Sequence, residues 1–136
     1  MISLRVKDIR IRSERIARRV KAKIGDPLTA AANDVEREAK ASMVEGGRRA
    51  GRKSGVASPP GMPPHRQTGD LAASVTHAKA GPMSAIAGPT NEAWYGKIHE
   101  FGGEYGGRNY PERPFMRPAL QRTQRKMIRH FRMFLT

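Results

Sequence analysis

Apolar residues recur at helical spacing near both ends of the chain. Residues 9–24 carry isoleucine and valine at helical intervals, which predicts a first helix that ends at Gly25. Residues 27–43 carry an alanine-rich apolar stripe, and Asp26 is placed to cap this second helix. A last helix is predicted from about Pro118, with Arg and Lys on its polar faces. Its predicted apolar face comprises Leu120, Met127, Phe131 and Phe134.

Alternating positions and turn residues predict a small sheet. Residues 2–6 alternate between apolar and polar side chains, which is typical of a short strand before the first helix. Residues 75–80 and 83–88 are typical of two strands joined by a turn at Gly81-Pro82. With the helices, these strands predict an α+β fold in which a small antiparallel sheet is packed by an N-terminal helix and a C-terminal helix.

Shorter elements are predicted in the middle of the chain. Thr68 is placed to cap a turn of helix that ends near Ser74. Residues 94–101 have large apolar side chains at helical spacing, which predicts a short aromatic helix that the following glycine pair ends. A glycine-rich loop is then expected to extend to Asn109, and the prolines within and after residues 111–116 favour an extended segment.

Residues 44–67 have no periodicity and contain five Gly and four Pro. This composition indicates a long flexible basic loop or arm within a single domain that spans residues 1–136. Two basic pairs in the loop would attract DNA phosphates or an acidic surface of a partner protein, and a loop that is merely solvated is the alternative. The four candidate contact residues are Arg48, Arg49, Arg52 and Lys53.

The composition indicates a strongly basic chain with a near-neutral centre. The 136 residues include 26 Lys and Arg against 12 Asp and Glu, so the formal net charge is +14. The excess lies at both ends and in the 44–67 loop, and it implies an anionic partner or neutralising subunits. The absence of cysteine excludes disulfide scaffolds, thiol nucleophiles and Cys-rich zinc modules. No apolar run approaches the roughly 20 residues of a membrane helix, so no membrane partner is expected.

The sequence offers weak candidates for catalysis. Four histidines are scattered along the chain, and His99 and Glu100 are adjacent, so on a helix they point about 100° apart. No phosphate-binding loop of the G-x-x-x-x-G-K type is present, and no serine has a nearby histidine and acid. We therefore expect no enzymatic activity, no cofactor and no metal.

Three motif segments stand out between residues 58 and 120. The first is S-P-P-G-M-P-P-H at 58–65 with T-G-D-L-A-A-S-V at 68–75. The second is A-G-P at 87–89 with Y-G-K-I-H-E-F-G-G at 95–103, and the third is R-P-F-M-R-P-A-L at 113–120. In this order they resemble the motifs of small tail-completion and head–tail joining (neck) proteins of tailed bacteriophages.

The resemblance implies a structural protein of the virion whose copies form a homo-oligomeric ring, expected to be hexameric, at the neck or the top of the tail. Its implied partners are the head connector or adaptor, the tail tube or terminator proteins, and packaged DNA in the lumen, bound without sequence preference. The implied location is the virion, with the host cytoplasm during assembly.

Residues in or beside the motif segments are the candidates for contacts between subunits or with partners. Phe101 and Phe115 are large apolar groups beside prolines and glycines, which favours them as core anchors over ligand contacts. The candidate interface residues are Trp94, Tyr95, Phe101, Arg113 and Phe115.

A free basic nucleic-acid-binding protein is the alternative function, since the charge of +14 alone would support it. The peripheral placement of the charge and the lack of aromatic residues interleaved with basic ones favour the structural protein. The oligomeric state and DNA binding of the purified protein would distinguish the two hypotheses.

The basic loop generates a first prediction. Changing Arg48, Arg49, Arg52 and Lys53 together to Gln should leave the fold intact, because none is at a predicted core position. If they face DNA, a plot of the logarithm of the DNA-binding constant against the logarithm of the salt concentration should become less steep. The slope should change by about 0.9 for each phosphate that the variant no longer neutralises. If they hold an acidic neighbour, assembly measured by native mass spectrometry should fail instead. No change in either measurement would mean that the loop is only solvated.

Overall fold

The computed structural model of the chain describes residues 6–44 and 56–135, and it has the predicted α+β class. Val6, assigned by its alternation to a strand, begins the first helix, and the rest of that predicted strand lies outside the described residues. The four basic candidates of the 44–67 loop also lie outside them. The elements are α1 Val6–Lys23, α2 Gly25–Ser42, α3 Asp70–Ser74, β1 Val75–Gly81, β2 Ser84–Pro89, a 3-10 turn Asn91–Ala93, α4 Gly96–Phe101, β3 Gly103–Tyr105, β4 Arg108–Tyr110 and α5 Met116–Leu135.

The junction between α1 and α2 differs from the prediction. Gly25 does not end the first helix and Asp26 does not cap the second, because both lie in the first turn of α2. Ile24 has a helical backbone, its amide donates to the Val20 carbonyl at 2.8 Å, and its own carbonyl accepts the Leu28 amide at 3.2 Å. Helical hydrogen bonding thus runs across the junction, which leaves less need for a side-chain cap.

The core forms where α2 packs against the β1–β2 hairpin and against α5. The alanine-rich stripe predicted for α2 is confirmed, and Ala39 on α2 and Ala119 on α5 are both fully buried. Small side chains at these positions let the two helices approach closely. The buried cluster comprises Val35, Ala39, Met43, Ala72, Val75, Phe115 and Ala119.

The first hairpin is confirmed to within a residue of its predicted bounds. β1 and β2 pair antiparallel, from Val75 opposite Pro89 to Gly81 opposite Ser84. The turn lies at Pro82-Met83, one residue later than predicted.

The glycine-rich loop predicted up to Asn109 is wrong, because this stretch forms a second hairpin. β3 and β4 pair antiparallel with Tyr105 opposite Arg108. Gly106 and Gly107 connect them with φ angles of 59° and 72°. Positive φ at both central residues is characteristic of a type I′ turn, whose twist matches that of the paired strands. Glycine adopts these angles without a steric penalty.

The short helices begin close to their predicted positions. α3 starts two residues after Thr68, whose hydroxyl accepts the Asp70 amide at 3.3 Å, while Gly69 takes the N-cap position. α4 is shorter than the predicted aromatic helix, since it begins at Gly96, and it ends at Phe101, directly before the glycine pair as expected. At Gly102 φ is 67° and an added Cβ would lie 3.0 Å from the Tyr110 carbonyl oxygen, so this position favours glycine.

The last helix begins two residues before Pro118, and its predicted apolar face is confirmed at three of four positions, since Met127, Phe131 and Phe134 are half-buried and Met127 packs against the core. Its buried positions are Ala119 and Thr123, and the Thr123 hydroxyl donates back to the Ala119 carbonyl at 2.9 Å. Leu120 is 47% exposed. The two most deeply buried positions are small because α2 and α5 pack closely there, and a pattern based on large apolar residues does not identify them.

The two phenylalanines predicted as core anchors have opposite environments. Phe115 is fully buried, so this prediction is confirmed, and its side chain is not available as the partner contact also proposed for it. Phe101 is 57% exposed, so its assignment to the core is wrong. Phe101 lies at the last turn of α4, where the Arg117 guanidinium stacks 5.1 Å from its ring centre.

This contrast generates a prediction about stability. Phe115→Ala should reduce the free energy of unfolding by about 3–5 kcal/mol, because it leaves a cavity in the core. Phe101→Ala is the matched control and should cost only about 0.5–1 kcal/mol, the range for an exposed cation–π contact. Urea unfolding followed by circular dichroism measures both, and equal losses in the two variants would contradict the assignment.

Candidate functional site

The three motif segments converge on one hydrogen-bonded joint. Arg113 Nε donates to the Ser58 carbonyl at 2.8 Å, and the Arg113 amide donates to the His99 carbonyl at 2.6 Å. One arginine of the third segment therefore contacts both the first and the second. The Gly61 amide adds a bond of 2.8 Å to the Glu112 carbonyl, next to Arg113.

Residues 56–67, the described half of the loop predicted as flexible, are anchored at both ends. Near the start, Arg113 holds the Ser58 carbonyl, and a bond of 2.8 Å from His65 Nδ1 to the Val56 carbonyl joins the two ends of the segment. Near the end, the Arg66 amide donates to the Val44 carbonyl at 2.8 Å and its guanidinium donates to the Lys40 carbonyl at 3.1 Å. This half of the loop contains no helix and no strand longer than one residue, yet it is held against α2 and against the segment before α5.

The Glu100 carboxylate caps the N-terminus of α5. Its Oε2 accepts the amides of Phe115 and Met116, both at 2.9 Å, and its Oε1 accepts the Arg117 amide at 2.9 Å. The next residue, Pro118, has no amide hydrogen to satisfy. A single buried side chain of α4 thus satisfies the free donors at the start of α5, and its negative charge lies at the positive end of the helix dipole.

Burial and hydrogen bonding act in opposite directions on this carboxylate. Burial raises the pKa of Glu100. The hydrogen bonds from the three backbone amides and from Arg117 Nε, at 3.0 Å, lower the pKa by more than burial raises it. The net effect is a pKa below the ordinary value of 4.5. Glu100 is therefore ionised at neutral pH, and its charge stabilises the folded state.

Arg117 links this joint to the surface. Besides Glu100, its guanidinium reaches the Glu112 carboxylate at 3.2 Å and covers the Phe101 ring. The side chain is 49% exposed. It shields the buried carboxylate from water while keeping part of its own charge hydrated.

An aromatic patch, formed by Trp94, Tyr95 and Tyr105, lies beside the joint. The rings of Trp94 and Tyr105 have centroids 4.5 Å apart, and Trp94 meets Tyr95 edge to face at 6.0 Å. Trp94 and Tyr105 are 52% and 53% exposed. Exposed aromatic clusters of this kind are characteristic of protein–protein contact surfaces.

A cleft of about 280 Å³ separates the 56–67 segment from α3 and α4. Tyr95 belongs both to its wall and to the aromatic patch. His99 also lines it, and burial, followed by the nearby charge of Arg113, lowers the pKa of His99 below its ordinary value of 6.5. This imidazole is therefore neutral at neutral pH.

The five candidate interface residues have separate environments. Trp94 and Tyr95 form most of the aromatic patch, Phe101 is exposed beside Arg117, Arg113 holds the three motif segments together, and Phe115 is in the core. Sequence reasoning missed Tyr105, Glu100 and Ser58. The alternation around Gly106-Gly107 is a hairpin signal that could have placed Tyr105, whereas the other two depend on contacts distant in sequence.

The described residues contain neither a metal-binding cluster nor a membrane-spanning helix. No group of three or more His, Cys, Asp or Glu side chains in this part of the chain is arranged to hold a metal ion. No helix within it is long and apolar enough to cross a lipid bilayer.

The capping carboxylate generates a prediction with a pH dependence. Glu100→Gln should lower the free energy of unfolding at neutral pH by roughly 1.5–3 kcal/mol, the range for a hydrogen bond to a charged group. Because the folded-state pKa of Glu100 is lowered, its contribution is present above the ordinary value of 4.5 and is lost as the pH falls through the folded-state pKa. The variant should therefore lose less stability than the original protein on acidification below about pH 5.

Glu112→Gln is the matched control, because Glu112 contacts the same arginine but caps no amide. It lies 58% exposed, so it should cost at most about 1 kcal/mol. Urea unfolding at several pH values measures both variants. An unchanged acid dependence in Glu100→Gln would contradict the capping role.

No family model, curated protein or solved structure matches this chain. The resemblance of the motif segments therefore stands as an expectation.

Proposed function

We propose that this chain is a structural virion protein of a tailed bacteriophage, which forms an oligomeric ring at the head–tail junction or at the top of the tail. The observation that carries the proposal is the convergence of the three motif segments. Residues 58–65, 95–103 and 113–120 are far apart in sequence, yet Arg113 and Glu100 connect them into one joint. The residues of the resemblance thus act together as one structural unit.

The aromatic patch supports assembly with other protein chains. Trp94 and Tyr105 together present two large rings to solvent, and burying such rings is a major source of affinity in protein interfaces. The flanking 3-10 turn and hairpin carry Glu92 and Glu104 on a chain whose net charge is +14. Arg108, which pairs opposite Tyr105, adds a positive charge, so charges of both signs border the patch and can pair with those of a second copy packed head to tail.

The basic helices fit a position around DNA and also support the second candidate, a free nucleic-acid-binding protein. Arg125, Lys126 and Arg129 are exposed on α5, and Arg15 and Arg18 are exposed on α1. Such side chains contact phosphates without reading bases. Both candidates predict salt-sensitive DNA binding, so oligomeric state is the property that separates them.

The proposal is tested by native mass spectrometry and negative-stain microscopy of the purified protein. We expect a closed oligomer with a mass that is an integral multiple of the subunit mass. Trp94→Ala should weaken each subunit contact by about 2 kcal/mol or more, which is close to thirtyfold in the dissociation constant, and should shift the population towards monomer.

Met83→Ala is the control, because Met83 is 49% exposed in the β1–β2 turn and lies outside the aromatic patch. It should leave the oligomer unchanged. A monomer or dimer that retards DNA of any sequence, with no effect of Trp94→Ala, would contradict the ring and favour the second candidate.

A further inference from the structure

The cleft between the 56–67 segment, α3 and α4 has a basic and apolar lining. One part of its wall is apolar, formed by Met43, Leu71 and Ala72. The polar part includes two arginines, Arg66 and Arg113, and no aspartate or glutamate of the described residues lines it. A pocket with this lining favours a ligand that combines a negative charge with an apolar portion.

Ser58 is a second observation that favours a ligand in the cleft. Its side chain is 2% exposed and lines the cleft, and its hydroxyl is the one buried side-chain polar atom among the described residues without a hydrogen-bond partner. The Ser58 carbonyl is held by Arg113, so the position of the residue is fixed. A buried hydroxyl without a partner is unfavourable, and a ligand acceptor in the cleft would satisfy it.

We propose that this cleft binds a carboxylate carried on a short apolar stem. The Ser58 hydroxyl donates to one carboxylate oxygen, and Arg66 and Arg113 supply the compensating positive charge. Met43 and Leu71 contact the stem. This binding site is independent of the proposed role in a virion.

A carboxylate fits the cleft better than a phosphate does. His99 is neutral at neutral pH, so the positive charge of the lining comes from two arginines that each already donate to a backbone carbonyl. A phosphate dianion would need more donors to replace its hydration than one hydroxyl and these partly engaged guanidinium groups offer. The volume of about 280 Å³ leaves room for a carboxylic acid of a few carbons.

Two sources could present this chemistry, a free short-chain acid or a glutamate side chain of a docked polypeptide. Butyrate is the probe for the first, and the peptide acetyl-Ala-Glu-Ala-amide for the second. Butyrate binding alone identifies a small-acid site. Peptide binding at least as tight as butyrate, with none by the Gln analogue of the peptide, identifies a polypeptide site.

The experiment titrates the full chain with each probe by calorimetry or NMR. We expect saturable butyrate binding and at least tenfold weaker binding of butyramide, which has the same shape but no charge. Ser58→Ala should weaken butyrate binding about tenfold or more, the loss expected for one hydrogen bond to a charged group. Its melting temperature should be unchanged or higher, because the substitution removes an unpartnered buried hydroxyl.

Two controls separate the site from general effects. Ser84→Ala changes an exposed serine of β2 outside the cleft and should leave binding unchanged. Arg66→Gln should weaken butyrate binding, whereas Arg108→Gln, which removes the same charge from the exposed β4, should not. The proposal is overturned by any of three results: no saturable binding of butyrate or the peptide, inorganic phosphate or butyramide binding as tightly as butyrate, or a Ser58→Ala variant that binds butyrate normally.

Discussion

The Glu100 carboxylate is the contact on which the rest of the structure depends. Phe115, the residue before α5, has no side-chain oxygen to cap the helix, and the first amides instead converge on one side chain of α4. Because the carboxylate is buried and ionised, it is also stabilised by its ion pair with Arg117 and by the positive end of the α5 dipole. A short helix of six residues therefore determines where a helix of twenty begins.

The position of α5 in turn sets the core and the surfaces around it. Phe115, whose amide donates to Glu100, is fully buried against the α2 stripe, and Ala119 follows one turn later. The same segment anchors residues 56–67 through Arg113, which leaves the cleft on one side of that loop. α4 carries Tyr95 at its start and Phe101 at its end, so the placement of α4 also determines which aromatic groups remain exposed.

Local patterns in the sequence predict the elements whose residues contact sequence neighbours. The α2 stripe and the β1–β2 hairpin follow from periodicity and turn residues, and both are confirmed. The errors have physical causes beyond the local pattern. Gly25 fails as a terminator because hydrogen bonds continue across Ile24, and Phe101 looks like a core residue because size alone cannot show that a guanidinium covers it. Glu100 contacts Phe115, 15 residues away, and Ser58 contacts Arg113, 55 residues away. Patterns among neighbouring residues cannot predict such contacts.

Contacts between residues distant in sequence also determine how charged side chains are paired. Acidic residues of α2 face α5, where Asp34 meets His130 at 2.7 Å and Glu38 meets Arg122 at 3.3 Å. These contacts, with the Glu100–Arg117 pair, use carboxylates to offset part of the positive charge of α5. The basic side chains that remain, such as Arg125 and Arg129, are exposed on that helix. The net charge of +14 already counts every carboxylate, so these pairs leave it unchanged, and an anionic surface or bound anions would lower the repulsion that remains.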